Sequence, residues 1–214
     1  MHLIETNISS HNITDQTSGK EYLLSSTGEG IYGNPELIAE EGHEYSLLFD
    51  YDGVTVSAAT TVPSKPKDVS FSATKIEVMS FQPPQAMSKA PGGGIEISWK
   101  NDEGDYYIVE GKTGSTNPVM DIEEDDDMPA KSFKLNYTQG TSATLSSSDF
   151  NYYGTYYISV IHINQEYAVI SQGGSTSSTT LVDVKGNIDG GYGIFTGISS
   201  VTRTITVAKG SSPL

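Results

Sequence analysis

The stretch Thr155-Tyr-Tyr-Ile-Ser-Val-Ile-His-Ile-Asn-Gln-Glu-Tyr-Ala-Val-Ile170 decides the fold class. Tyr156, Ile158 and Val160 fall at alternate positions, so they share one face of an extended strand. Asn164-Gln165 then reads as a tight turn, and Tyr167 to Ile170 as the returning strand. Upstream, Glu44-Tyr-Ser-Leu-Leu-Phe-Asp-Tyr-Asp-Gly-Val-Thr-Val-Ser-Ala58 repeats the design. There Tyr45, Leu47 and Phe49 share a face, Asp52-Gly53 is a strong hairpin turn, and Val54 to Ala58 returns. Gly42 precedes the first set and Gly154 the second. Two such hairpins predict an all-β chain of two β-sandwiches in tandem.

A length of 214 residues is enough for two small domains. Apolar residues make up only 36% of the chain, yet 13 tyrosines and many threonines suit strands with one wet face. The net charge of −15 argues against nucleic acid as a partner, and against attraction to an anionic membrane surface. With no cysteine there is no disulfide, no thiol catalysis and no thiolate-bound metal. No apolar run approaches the ~18 residues of a membrane helix, and the N-terminus lacks the shape of a signal peptide.

Residues 1–18 are rich in Ser, Thr and Asn, with a strand expected to start at Leu3-Ile4. Any helix longer than a turn or two is expected at Pro35–Glu41. The proline of Ala59-Thr-Thr-Val-Pro63 ends a strand, and Ser64-Lys-Pro-Lys67 reads as a stiff linker. The expected domains are therefore 1–64 and 65–214. In the second, Ile95, Ile97 and Trp99 alternate, as do Phe133, Leu135 and Tyr137, and later Val201, Arg203, Ile205 and Val207. Between the strand of Tyr156 and the last strand lies an insertion, residues 171–200. It contains Gly186-Asn-Ile-Asp-Gly-Gly-Tyr-Gly-Ile-Phe-Thr-Gly197, where apolar anchors alternate with glycine turns. The ordinary reading is a structural loop that pins itself to the sandwich. Gly190-Gly191-x-Gly193 is no dinucleotide fingerprint, because no helix follows it.

Three resemblances attach to these strings. Gly30-Ile-Tyr32, Gly42-His-Glu-Tyr45 and Thr60-Thr-Val62-Pro63 resemble the transthyretin-like, carboxypeptidase-regulatory sandwich, which usually starts with one or two more strands. Ile97-Ser-Trp99, Tyr106-Tyr-Ile108, Leu145 and Phe150 to Val160 resemble an immunoglobulin/fibronectin type III sandwich, with Trp99 under the corner tyrosine Tyr156. The terminal string, taken with Gly42 to Pro63, resembles a family of Bacteroidetes cell-envelope lipoproteins of unknown function. That resemblance implies export and a lipid anchor at the outer membrane, supplied by sequence outside the residues given. It implies no catalytic residue. The short strand count of the first domain predicts an open sheet edge, filled by upstream sequence or by a neighbouring chain.

Candidate chemistry is sparse. The run Asp121-Ile-Glu-Glu-Asp-Asp-Asp127 packs six carboxylates into seven residues. It lacks the spacing of a calcium loop, so a solvated loop is the ordinary reading, with calcium at Asp121, Glu123, Glu124, Asp125, Asp126 and Asp127 as the sharper one. His2, His11, His43 and His162 are scattered, and His162 falls on an inner face as a hydrogen-bonded core histidine. Asp102, Glu103 and Asp105 form a turn, not a spaced acid pair. Tyr152, Tyr153 and Tyr157 are candidates for an exposed ligand or interface cluster beside the inward Tyr156.

These readings predict no cofactor and no enzyme. The leading expectation is an envelope protein that contacts other envelope proteins, as an adhesin or as an accessory of a surface complex. A carbohydrate-binding module using exposed tyrosines for surface glycans is the alternative, and a hydrolase of unrecognised type the third.

Overall fold

A computed structural model describes residues 9–78, 94–119, 127–173 and 186–210. It divides into two compact units, Met1–Lys65 with Ile163–Ser199, and Pro66–His162 with Ser200–Leu214. Strands dominate both, and the chain is all-β.

The first unit opens with β1 (Ser9–Asp15), β2 (Glu21–Leu23), β3 (Ser25–Gly28), β4 (Ile31–Gly33), β5 (Glu44–Tyr51) and β6 (Val54–Thr61). Strands β6, β5, β1 and β2 lie side by side in one antiparallel sheet, and β3 and β4 form a separate ribbon. The β5–β6 hairpin keeps the register its alternation demands, with Leu47 opposite Ala58, Phe49 opposite Val56 and Tyr51 opposite Val54. Asp52 and Gly53 take φ of 49° and 77°, as a type I′ turn requires. Tyr45 is buried, Leu47 and Phe49 are half-buried, and Leu48 on the opposite face is exposed. The core is small: Tyr22, Tyr45 and Val62, with Ile13, Leu37 and Phe195 packed against them.

One expectation fails here, and one strand forms that no alternation announced. Strand β1 runs through Ser-Ser-His-Asn-Ile-Thr-Asp, a polar string whose main-chain groups are taken up by β2 on one side and β5 on the other. Pairing on both edges holds a strand that its own side chains would not specify. Residues 35–41 contain no helix. The strand expected at Leu3-Ile4 lies outside the described residues.

The second unit contains β7 (Lys67–Phe71), β8 (Lys75–Val78), β9 (Ile95–Lys100), β10 (Tyr106–Thr113), β11 (Ser132–Lys134), β12 (Ser142–Leu145) and β13 (Gly154–Ile163). The chain then forms helix α1 (Gln165–Gly173) and the two-residue strand β14 (Ile188–Asp189) before β15 (Ile198–Lys209). One sheet of the second unit is β12-β9-β7, and the other is β11-β10-β13-β15-β8, with β8 parallel to β15. A single core joins them. Ile95, Ile97, Trp99 and Leu145 come from the first sheet, and Val109, Tyr156, Ile158, Val160, Ile205 and Val207 from the second. Each set alternates along its strand, so each sheet turns one apolar face inward. Tyr156 accepts the Tyr152 N–H at 3.1 Å through its hydroxyl, a tyrosine corner.

Two further corrections concern the segment after β13. Tyr167 to Ile170 is not a returning strand but part of α1. Asn164-Gln165 lacks the glycine of a two-residue hairpin, and Gln165, Glu166 and Ala168 are good helix formers. Ala168 is buried, with Tyr167, Ile170 and Ser171 half-buried around it, the spacing of one helical face. Residues 186–199 of the insertion are not an appendage of the second domain, since β14 pairs with β6 and extends the sheet of the first unit.

Candidate functional site

Strand β6 would present an open edge without the segment that returns to it. Ala59 and Thr61, two residues apart, turn their carbonyls to the same side of the strand. Asn187 Nδ2 donates to the Ala59 carbonyl at 2.9 Å, and Asn164 Nδ2 to that of Thr61 at 3.0 Å. Thr60 Oγ1 accepts from Asn164 Nδ2 at 2.9 Å and from the Gly197 N–H at 3.1 Å. Ile188 and Asp189 pair opposite Ala58 and Ser57. Ser199 Oγ completes the run on the Ser64 carbonyl at 2.7 Å. Residues 186–197 are thus a strap along β6, and this side of the sheet is covered from downstream.

Asn187 also closes the strap on itself. Its Nδ2 donates to the Phe195 carbonyl at 2.7 Å, and its Oδ1 accepts the Phe195 N–H at 2.9 Å. Phe195 is the apolar anchor, packed against Tyr22, Tyr45 and Val62. Glycine is needed at three points, one of them Gly197, where a Cβ would come within 2.8 Å of Val62 Cα. At Gly190, where φ is 76°, a Cβ would run into the Thr55 carbonyl and come within 3.4 Å of Val54 Cγ1. At Gly186 a Cβ would overlap the Gly193 carbonyl. The loop that follows Gly190 throws Tyr192 into solvent, 96% exposed. Gly190 fixes that loop beside the β5–β6 turn, where Tyr51 and Val54 are also about half exposed. Asp50, Asp52 and Asp189 stand exposed at this end.

A second polar cluster braces the other end of the hairpin. Asp15 is buried, and its carboxylate accepts the Thr17 N–H at 2.9 Å, the Ser18 N–H at 3.2 Å, Ser18 Oγ at 2.6 Å and His43 Nδ1 at 2.9 Å. Burial alone would raise the pKa of Asp15, but the hydrogen bonds from Ser18, His43 and Thr17 outweigh it and hold the carboxyl well below the usual range. The bond to Asp15 raises the pKa of His43 against the opposing effect of burial, with the charges of Asp15 and Glu40 adding to the rise. His43 Nε2 lies 3.7 Å from Glu40. The hub ties the end of β1 to the start of β5 and offers no nucleophile beyond Ser18, whose hydroxyl donates to Asp15.

The tyrosines singled out in the sequence separate. Tyr152 is fully buried, its hydroxyl donating to the Pro129 carbonyl at 2.6 Å, so it is no exposed contact. Tyr153 is half-buried against the core, and only Tyr157 stands open, at 53%. Residues Asp121, Glu123, Glu124, Asp125 and Asp126 lie outside the described residues, and Asp127 is exposed. Among the described residues no three His, Asp or Glu side chains gather as metal ligands. His162 is buried on the inner face as expected, stacked on Tyr107 at 4.7 Å, with Nε2 3.3 Å from Asp105.

Sequence reasoning missed Asn164, Asn187 and the Asp15–His43 pair. The glycine string carried a signal for Asn187, since a turn-rich loop with one anchor needs a polar closure. Asn164 carried none, its partners lying 103 and 104 residues away.

Fold and strap together define an all-β protein of two sheet-built units whose first unit is completed by its C-terminal half. The chain belongs to the family whose model, described as "Domain of unknown function (DUF4249)", matches residues 7–204. Among curated proteins none matches the sequence.

Proposed function

We propose that this protein is a non-enzymatic contact protein of the cell envelope, engaging other envelope proteins through the end of its first unit that carries Tyr192. The observation behind this reading is the strap: an amide clamp, a half-buried phenylalanine and sterically obligate glycines hold one tyrosine almost entirely in water. A solvent-exposed ring contributes nothing to burial, so a loop fixed this firmly around one has its use in contact with something else. Placement in the envelope rests on the resemblance to lipid-anchored proteins.

A sugar-binding role is favoured by Tyr157 alone, an open ring on the central strand of a sheet. The two readings separate in one experiment. Wild type, Tyr192→Ala and Tyr157→Ala proteins are tagged, recovered from native envelopes with their partners, and applied to a glycan array. Loss of a co-purifying protein with Tyr192→Ala only is the expected result. Glycan binding abolished by Tyr157→Ala moves the function to the second unit. Identical behaviour of all three proteins removes both tyrosines from function.

A further inference from the structure

We infer that the Tyr192 tip docks into a pocket on a partner protein whose rim carries lysine or arginine side chains. The inference rests on the contact role proposed above and adds the chemistry of the partner.

The shape argument comes first. Tyr192 stands at the apex of a loop whose neighbouring positions are Gly190, Gly191 and Gly193, so no side chain walls its ring. Sugar-binding rings work as platforms within a concave, side-chain-lined site. A lone ring on a braced loop is a knob instead, and a knob is complementary to a pocket. Tyrosine is among the residues that dominate protein interfaces when a partner buries them completely. Tyr51 and Val54, beside the loop, add apolar surface that would be covered by the same partner.

Charge decides the rim. Asp50 and Asp52 flank Tyr51 in the hairpin, and Asp189 enters the loop, all three exposed. Neither residues 44–62 nor residues 186–197 contain a single Lys or Arg. The negative field at the tip therefore goes unneutralised within the hairpin and strap that build it, and the chain as a whole carries −15. Such a field attracts and orients a cationic surface and repels an anionic one. An exposed tyrosine on a tip that also exposes three carboxylates calls for an apolar pocket bordered by ammonium or guanidinium groups.

The test uses the full chain in its native cell with a photo-reactive phenylalanine analogue at position 192. Crosslinking is compared among the parent, an Asp50→Asn/Asp189→Ser double variant, and the parent in washed envelopes at about 0.05 M and about 0.5 M salt. The expected result is one protein adduct, its yield falling at least about fivefold in the double variant and again at high salt. The crosslinked peptide should carry net positive charge. The salt arm needs no substitution, so it decides the matter even if the double variant folds poorly. An adduct insensitive to both charge and salt overturns the cationic rim and leaves the contact role standing. No protein adduct at all overturns both.

Discussion

The two units of this chain are stabilised in different ways. The second unit is held by area. Its two sheets share a core in which Ile97, Leu145, Ile158 and Val160 have no exposed surface, and Trp99 and Tyr156 fill the middle. The first unit has three buried apolar side chains clustered at its centre and relies on polar fixtures around them. Asp15 gathers four hydrogen bonds at one end, and Asn164 and Asn187 cap the carbonyls of β6. Apolar burial is non-directional and tolerates small shifts, whereas an amide clamp works at one distance and one angle. The difference teaches where each unit is vulnerable: the second to lost volume, the first to lost donors and acceptors.

The comparison breaks first, and hardest, at Trp99. Trp99→Ala should cost the second unit about 3–5 kcal/mol. Hydrogen exchange at the β9 and β13 amides would report it, and near-native protection there would refute the shared core. In the first unit Asn187→Ala removes the strap's clamp and leaves the Ala59 and Phe195 carbonyls without their partner. A loss of about 1–3 kcal/mol is expected, with exchange rising along β6 and not along β13. Uniform loss in both strands would mean that the units do not respond separately.

The Asp15–His43 hub sharpens the comparison through pH. The folded pKa of His43 lies above its ordinary 6.5, so the protonated form stabilises the fold fully below pH 6.5, and that contribution disappears as pH rises through the folded value. Asp15 has a folded pKa below its ordinary 3.8, so its contribution is present above pH 3.8 and lost as pH falls through the lower folded value. The hub is therefore at full strength between pH 3.8 and pH 6.5. Melting of the first unit should move down between about pH 6 and about pH 8.5, and His43→Gln should flatten that dependence. An unchanged slope in the variant would remove His43 from the hub. The smallest effect belongs to Tyr192→Ala, which should alter stability by less than about 0.5 kcal/mol while abolishing partner contact. A large destabilisation would show that the ring packs rather than protrudes.

Much of the second unit was legible because its determinants are local. Ile95-Glu-Ile-Ser-Trp99 and Tyr156-Tyr-Ile-Ser-Val160 announce both strand and inward face by alternation alone. The β5–β6 hairpin was legible for the same reason, helped by Asp52-Gly53. What escaped was non-local or positional. Strand β1 is polar and exists through its neighbours. Asn187 meets Ala59 across 128 residues, a distance over which periodicity says nothing. Tyr152 looked exposed because it begins a tyrosine-rich corner, but the corner folds inward so that its N–H can reach the Tyr156 hydroxyl. Of the tip, the glycine string was visible, while the strand it braces against was not.

The strap also sets an order of events during synthesis. Strand β6 leaves the ribosome well before Asn187, with the whole segment 66–162 of the second unit made in between. Until Asn164 and then the strap arrive, the carbonyls of Thr61 and Ala59 face whatever is nearby, and an uncovered strand edge is a template for mispairing. Closing so long a loop adds only about 0.6 kcal/mol for each doubling of its length, so the delay is a matter of time more than of equilibrium. The first unit is thus begun first and finished last. A nascent chain arrested before residue 187 would hold it with one flank bare, a species that a chaperone recognising open strands would be suited to guard.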